Sequence, residues 1–175
     1  MQIEGTETLT HPARLVFETL RDRTPELVAI LPNIEGVVEL ERRVEPPVIH
    51  LYNKWQGAQS DVPRVVRPFI KKELLSWNDR AAWNEDELRC YWTIEAAIAR
   101  EIFSCTGSTT ITPQGEAGCT FHLCGEMQID PDKVPGVPRF LARKLQGPLE
   151  RFIANAMRPN LTGIATAVQT YLDAR

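Results

Sequence analysis

The sequence predicts an α+β domain in which a curved antiparallel sheet of about seven strands surrounds a long C-terminal helix, with two short helices after the first strand. Three observations carry this. After Asn33, strand-like segments follow one another up to Asp130, separated by short turn signals. From about Arg139 to Arg175, apolar residues recur at helical spacing. Between these regions and the first strand lie two short helical patterns, each too small to form a core alone.

The elements are justified in order. Residues 2–10 are rich in Thr and alternate loosely, as a strand does. Thr10 then precedes His11-Pro12, with Pro12 suited to a first helical turn, and Leu15, Val16, Phe17 and Leu20 give helical spacing to about Arg23. Thr24-Pro25-Glu26 reads as a second capping pattern, opening a helix that carries Leu27, Val28, Ile30 and Leu31 and ends before Pro32-Asn33. Alternating residues up to Pro46-Pro47 make the next strand, and Val48 to Trp55 the one after it, ended by Gly57. Asp61–Ile70 contains Pro63 and Pro68 and reads as a loop. Lys72–Trp83 and Glu87–Glu95 flank a turn at Asn84-Glu85-Asp86. Ile102–Pro113 and Cys119–Asp130 flank Gln114–Gly118. A Pro-rich approach from Pro131 to Pro138 leads into the amphipathic C-terminal segment. Gly147-Pro148 should interrupt that helix and Pro159 should kink it, since proline removes an interior backbone bond.

The 175 residues suit one domain over 1–175, long enough to bury a substantial core. A net charge of −3 gives no basic excess of the kind a phosphate-binding face shows, so no nucleic-acid partner is predicted. No apolar run approaches the ~20 residues of a membrane span. The N-terminus, Met1-Gln-Ile-Glu-Gly-Thr-Glu, has neither a basic nor an apolar signal region, so the reading is a cytoplasmic protein. Cys90, Cys105, Cys119 and Cys124 form no CxxC pair, and His122 does not complete a zinc pattern. They read as reduced, mostly buried thiols, with no metal and no cofactor expected.

Strands joined by hairpins form an antiparallel sheet, and a curved sheet has one concave face. The long helix must bury its stripe there, the two short helices close one end, and incomplete contact leaves a cavity. This order is a helix-grip arrangement. The opening run Ile3-Glu-Gly-Thr-Glu, His11-Pro-Ala-Arg-Leu-Val-Phe-Glu-Thr-Leu and Leu31-Pro-Asn-Ile-Glu-Gly-Val resembles the START/Bet v1-like (SRPBCC) superfamily of polyketide cyclases, lipid-transfer domains and ligand-binding proteins. The last run is also similar to an accessory subunit of carbon monoxide dehydrogenase in the same superfamily. The resemblance covers the whole chain and implies the helix-grip fold and an apolar ligand cavity. It carries over no catalytic residue, because the superfamily shares none. The Gly147-Pro148 interruption departs from the unbroken helix of many relatives.

Candidate cavity residues are the aromatics of the sheet, Tyr52, Trp55, Trp77, Trp83, Trp92, Phe103 and Phe121, with Phe152 and Met157 from the C-terminal helix. The alternative is that these rings only fill the core. Asp79 shares parity with Leu75, Trp77, Ala81 and Trp83, which makes it the polar residue of most interest. Buried, it needs a partner, for which Arg80 or Arg89 could serve; at a bulge it would face outward. His122 faces solvent if Phe121 faces the core, and His11 reads as a surface or capping residue. No phosphate loop, nucleophile elbow or HExxH occurs. Three functions remain open. The first is binding or carrying a hydrophobic small molecule such as a lipid, quinone or polyketide-like compound. The second is a polyketide cyclase or aromatase-like enzyme using Asp79, His50, Tyr52 or His122 as acid or base. The third is an accessory subunit that docks a membrane surface or protein partner through Arg139, Arg143, Lys144 and Arg151. Oligomeric state is not legible.

Overall fold

The computed structural model describes residues 1–31, 33–58, 72–98, 100–130, 133, 144, 147–148, 151 and 163–175. Within these, β1 (Gln2–Leu9) leads to α1 (Ala13–Asp22) and α2 (Thr24–Val28). Then come β2 (Ile34–Glu45), β3 (Val48–Gly57), β4 (Ser76–Asn84), β5 (Arg89–Ala96), β6 (Phe103–Gln114) and β7 (Gly118–Ile129). A C-terminal helix occupies 163–173. The strands form one sheet in the order β1-β7-β6-β5-β4-β3-β2, antiparallel throughout. The sheet and helix arrangement is the α+β helix-grip predicted from the sequence.

Local chemistry explains most boundaries. In the β4–β5 turn the Asn84 side-chain carbonyl accepts hydrogen bonds from the backbone N–H of Asp86 (3.0 Å) and Glu87 (3.2 Å), so the turn residue closes its own loop. The β6–β7 turn begins at Gly115, whose φ of 70° suits glycine best. Both hairpins fall where the sequence placed them. Four details differ. α2 ends at Val28, so Ile30 and Leu31, read as helical, follow it in a turn and a bend. Pro12 stands just outside α1 as its cap residue rather than in the first turn. Thr24 is not a cap but the first residue of α2, and its hydroxyl donates back to the Leu20 carbonyl (3.0 Å). Lys72–Leu75, read as strand, is a turn of 3-10 helix, so β4 starts at Ser76.

The helices share one face of the sheet. α1 buries Ala13, Val16, Phe17 and Leu20, the i, i+3, i+4, i+7 stripe of an amphipathic helix, while Leu15 stays exposed. Ala165 and Val168 of the C-terminal helix join the same core, with Phe121, Leu123 and Met127 of β7 beneath. Two clamps fix the helices. Buried Arg21 bonds Asp22 (2.7 Å) and Glu85 of the β4–β5 turn (2.6 Å), and Asp22 also meets Arg42 of β2 (2.8 Å). At the other clamp Gln169 accepts from the Thr10 N–H (3.0 Å) and donates to the Thr10 hydroxyl (2.8 Å), while Asp173 meets His11 (2.8 Å). His11 is thus tied to the C-terminal helix.

Gly147 and Pro148 are themselves helical. The expected interruption turns on neighbours outside the described residues. The Asp61–Ile70 loop and the Pro159 kink also lie outside them, as does all of the Pro131–Pro138 segment except Lys133.

Candidate functional site

Strand alternation turns one row of each strand toward the helices, and the register sets those rows side by side. Trp55 of β3 lies opposite Trp77 of β4, Asn53 opposite Asp79, and Leu51 opposite Ala81. Across the next ladder Asp79 faces Ile94, Ala81 faces Trp92, and Trp83 faces Cys90. Asp79 therefore sits in a grid with Trp77 and Ala81 on its own strand and Trp55 and Trp92 at diagonal positions.

Between these rows and the helices lies a cavity of about 120 Å³. Trp55, Trp77, Trp83, Trp92 and Phe121 supply its aromatic wall, with Asp79, Asn53 and Thr109 its main polar groups. Leu20, Thr24, Leu31 and Ile164 close it from the helical side. The Trp55 and Trp77 rings are nearly parallel, 7° apart in plane with centroids separated by 6.2 Å. Trp83 meets Phe17 of α1 edge to face at 5.2 Å. Trp92 is held most firmly: its indole N–H donates to the Thr109 hydroxyl at 3.1 Å, and its ring lies over Gly107 and Gly125. A Cβ on Gly125 would come within 2.6 Å of that ring, so the paired glycines of β6 and β7 form its seat.

The polar groups are incompletely satisfied. Asp79 Oδ1, Trp55 Nε1 and Trp83 Nε1 are buried without a hydrogen-bond partner among the described residues. Burial pushes the Asp79 carboxyl up to about 6; the side chains of Asn53 and Trp55 face it and partly favour its charged form, without completing a bond to Oδ1. The residue keeps some accessible surface because the cavity reaches it. Burial also raises the Cys90 thiol, with Asp79 adding to the effect, and raises Cys105 to about 11. Both thiols are therefore protonated and inert near neutrality. All four cysteines are free, and among the described residues no cluster of His, Cys, Asp or Glu could hold a metal ion.

The predicted residues divide accordingly. Trp55, Trp77, Asp79, Trp83, Trp92 and Phe121 lie on the cavity wall. Tyr52 does not, which corrects its placement there. It shares parity with His50, not with Leu51 and Trp55, and its ring stacks under the Arg80 guanidinium at 4.1 Å on the opposite face of the sheet. Phe103 is buried in the core but beyond the cavity lining. Phe152 and Met157 lie outside the described residues. The expected Arg partners of Asp79 are also corrected: Arg80 faces outward over Tyr52, and Arg89 bonds Thr110 and Tyr91. His50 and His122 pair with Glu45 (3.6 Å) and Glu4 (3.2 Å) on the outer face, remote from Asp79. Lys144 and Arg151 are exposed, while Arg139 and Arg143 lie outside the described residues. Sequence reasoning missed Asn53 and Thr109. Both share parity with predicted inward residues, Asn53 with Leu51 and Trp55, so alternation alone could have found them.

No known family profile and no curated protein matches the chain. Solved structures do match. TTHA0849 from Thermus thermophilus superposes with a TM-score of 0.66 at 15% identity, over 98% of this chain and 99% of that one. The Zhui aromatase/cyclase from Streptomyces sp. R1128 gives 0.65 at 16% identity, over 98% and 95%. Ara h 8.0201 gives 0.60 at 15% identity, over 100% and 99%. At this identity the likeness is one of fold, and the chain shares the helix-grip fold of these structures.

Proposed function

We propose that the protein binds a small, largely apolar molecule in the cavity between sheet and helices. One observation carries the reading: an apolar, tryptophan-walled space lined by Asp79, Trp55 and Trp83, each of which carries a buried polar atom with no hydrogen-bond partner among the described residues. Core polar atoms normally find partners, because leaving one unsatisfied costs about 1–3 kcal/mol. Three such residues on one cavity wall are what a ligand with an apolar body and a polar group would satisfy. The volume limits the size: an engineered apolar cavity of ~150 Å³ takes up benzene, so about 120 Å³ suits one aromatic ring rather than a long lipid chain.

Binding of toluene, read by ligand-observed NMR and by the fluorescence of the wall tryptophans, tests this. Saturable one-to-one binding is expected. Ala81→Phe, which puts a ring into the cavity beside Leu51 and Trp92, should abolish it. If toluene and other single-ring probes show no saturable binding, or bind the Ala81→Phe variant equally, the reading fails.

A second reading has one observation in its favour. A carboxyl pushed to about 6 is poised near neutral pH, where a general acid or base works best. Asp79 could then move a proton on a bound substrate, in keeping with the aromatase/cyclase among the similar folds. Turnover of a cyclisable aromatic precursor that vanishes in a folded Asp79→Ala variant would favour it; turnover unchanged in that variant would exclude Asp79.

A further inference from the structure

We propose that the cavity selects a protonated amine carried on a small apolar body, with Asp79 as its counter-ion and Trp55, Trp77 and Trp92 as the aromatic surround. This rests on the reading of the cavity as a small-molecule site and names the class of molecule.

The first argument is that no cationic side chain lines the cavity among the described residues. Among the described lining residues Asp79 is the only charged side chain. The nearest arginine in sequence, Arg80, is committed to Tyr52 across the sheet, and Arg89 to Thr110 and Tyr91. From β5 Ile94 faces Asp79, and the titratable group on the cavity wall is the Cys90 thiol, which burial keeps protonated. From β3 Asn53 faces it, and from the helices Leu20, Thr24 and Ile164 face the cavity; none of these titrates. A buried carboxylate without a cation is costly, and pairing restores much of that cost.

The second argument is the surround. The register brings three tryptophans to the positions flanking Asp79, and all three line the cavity. Aromatic ring faces attract cations, most strongly where water is excluded. An anionic ligand would meet the carboxylate and the ring faces as repulsion. A neutral hydroxyl would satisfy Oδ1 but leave the charge uncompensated. A protonated amine answers both the orphan oxygen and the uncompensated charge. Size then narrows the class to a one-ring or similarly compact amine.

The test compares benzylamine, benzyl alcohol and toluene, close in shape, by calorimetry against the full chain near pH 7.5, where Asp79 is ionised and the amine protonated. Benzylamine should bind about tenfold or more tighter than benzyl alcohol. That preference should shrink near pH 5, where Asp79 takes up a proton. It should also vanish in Asp79→Asn, whose folding is checked by thermal melting. Benzylamine binding no better than benzyl alcohol, or a preference that persists near pH 5 or in the folded variant, overturns the proposal. If toluene still binds, the small-molecule reading survives that result; if none of the three binds the wild type, both fall.

Discussion

The Asp79 carboxyl is harder to ionise in the folded chain than in the unfolded one, because burial removes water that Asn53 and Trp55 only partly replace. The direction of the consequence follows from linkage. An unperturbed aspartate titrates at 3.8 and the folded one at about 6. Below the lower value both states hold the proton, and stability is at its fullest. As pH rises between the two, the unfolded chain releases its proton first, so folding loses free energy until the folded carboxyl has also ionised. The loss amounts to about 3 kcal/mol at most. Asp22 runs the other way: burial opposes ionisation, but its bonds to Arg21 and Arg42 outweigh it, and its pKa is lowered. Total stability therefore blends both, and the difference between wild type and Asp79→Asn isolates the cavity carboxyl. In urea unfolding without ligand, the variant should gain on the wild type by about 2 kcal/mol between about pH 4 and pH 7. A wild type that gains on the variant over that range would reverse the sign and refute the assignment. The sequence left the face of Asp79 open: parity with Trp77, Ala81 and Trp83 turns it inward in a regular strand and a bulge would turn it outward, and β4 pairs on both sides without a bulge. Its isolation was not legible. The same alternation that turns Asp79 inward turns Arg80 outward, where its guanidinium covers Tyr52.

Among the described residues two polar clamps tie the helices to the rest of the fold, and one of them can be removed without touching the core. The C-terminal helix reaches the β1–α1 connection through Gln169 and Asp173, which meet Thr10 and His11. Gln169 supplies two of these bonds, one to a backbone N–H and one to a hydroxyl. Gln169→Ala should lower global stability by only about 1 kcal/mol. Its sharper effect should be local: amides of helix 163–173 should exchange with solvent faster relative to those of β6 and β7. Uniform loss of protection through helix and sheet would mean that the bonds do not act as a latch. The helix itself was legible from its 3- and 4-residue apolar spacing, as was the stripe of α1. Element ends were less so. Pro12 fits either a cap or a first turn, Thr24 either caps or bonds back to a carbonyl, and Leu75 continues the parity of β4 while lying in a 3-10 turn. Parity identifies a face only once the backbone is known to be extended.

At the scale of the whole molecule, the strand series sets the sheet order: each strand from β2 to β6 pairs with its successor, and β1 closes against β7. The meander of β2 to β7 was legible, most clearly at the β4–β5 and β6–β7 turns with their own turn residues; the pairing of β1 with β7 was not, because no local signal joins strands so far apart in the chain. The cavity was legible only as a consequence of that architecture. Its size depends on how far Leu20, Leu31 and Ile164 stand from the tryptophan rows, which no periodicity encodes. A ligand held there touches β3, β4, β5 and the helical layer together, so its binding free energy should appear as stability of the entire fold. Free ligand at one hundred times its Kd adds about 2.7 kcal/mol. For a domain of this size that corresponds to a rise in Tm of roughly 5–10 °C. The same increment should appear in Gln169→Ala, whose altered contacts lie at Thr10 and outside the cavity wall, since distant sites add nearly independently. Ala81→Phe should show no increment at any ligand concentration. Melting curves of the three proteins with and without a single-ring probe decide the matter. A ligand-induced rise that persists in Ala81→Phe would place binding elsewhere, and a rise lost in Gln169→Ala would mean that the helix latch and the cavity form one coupled unit.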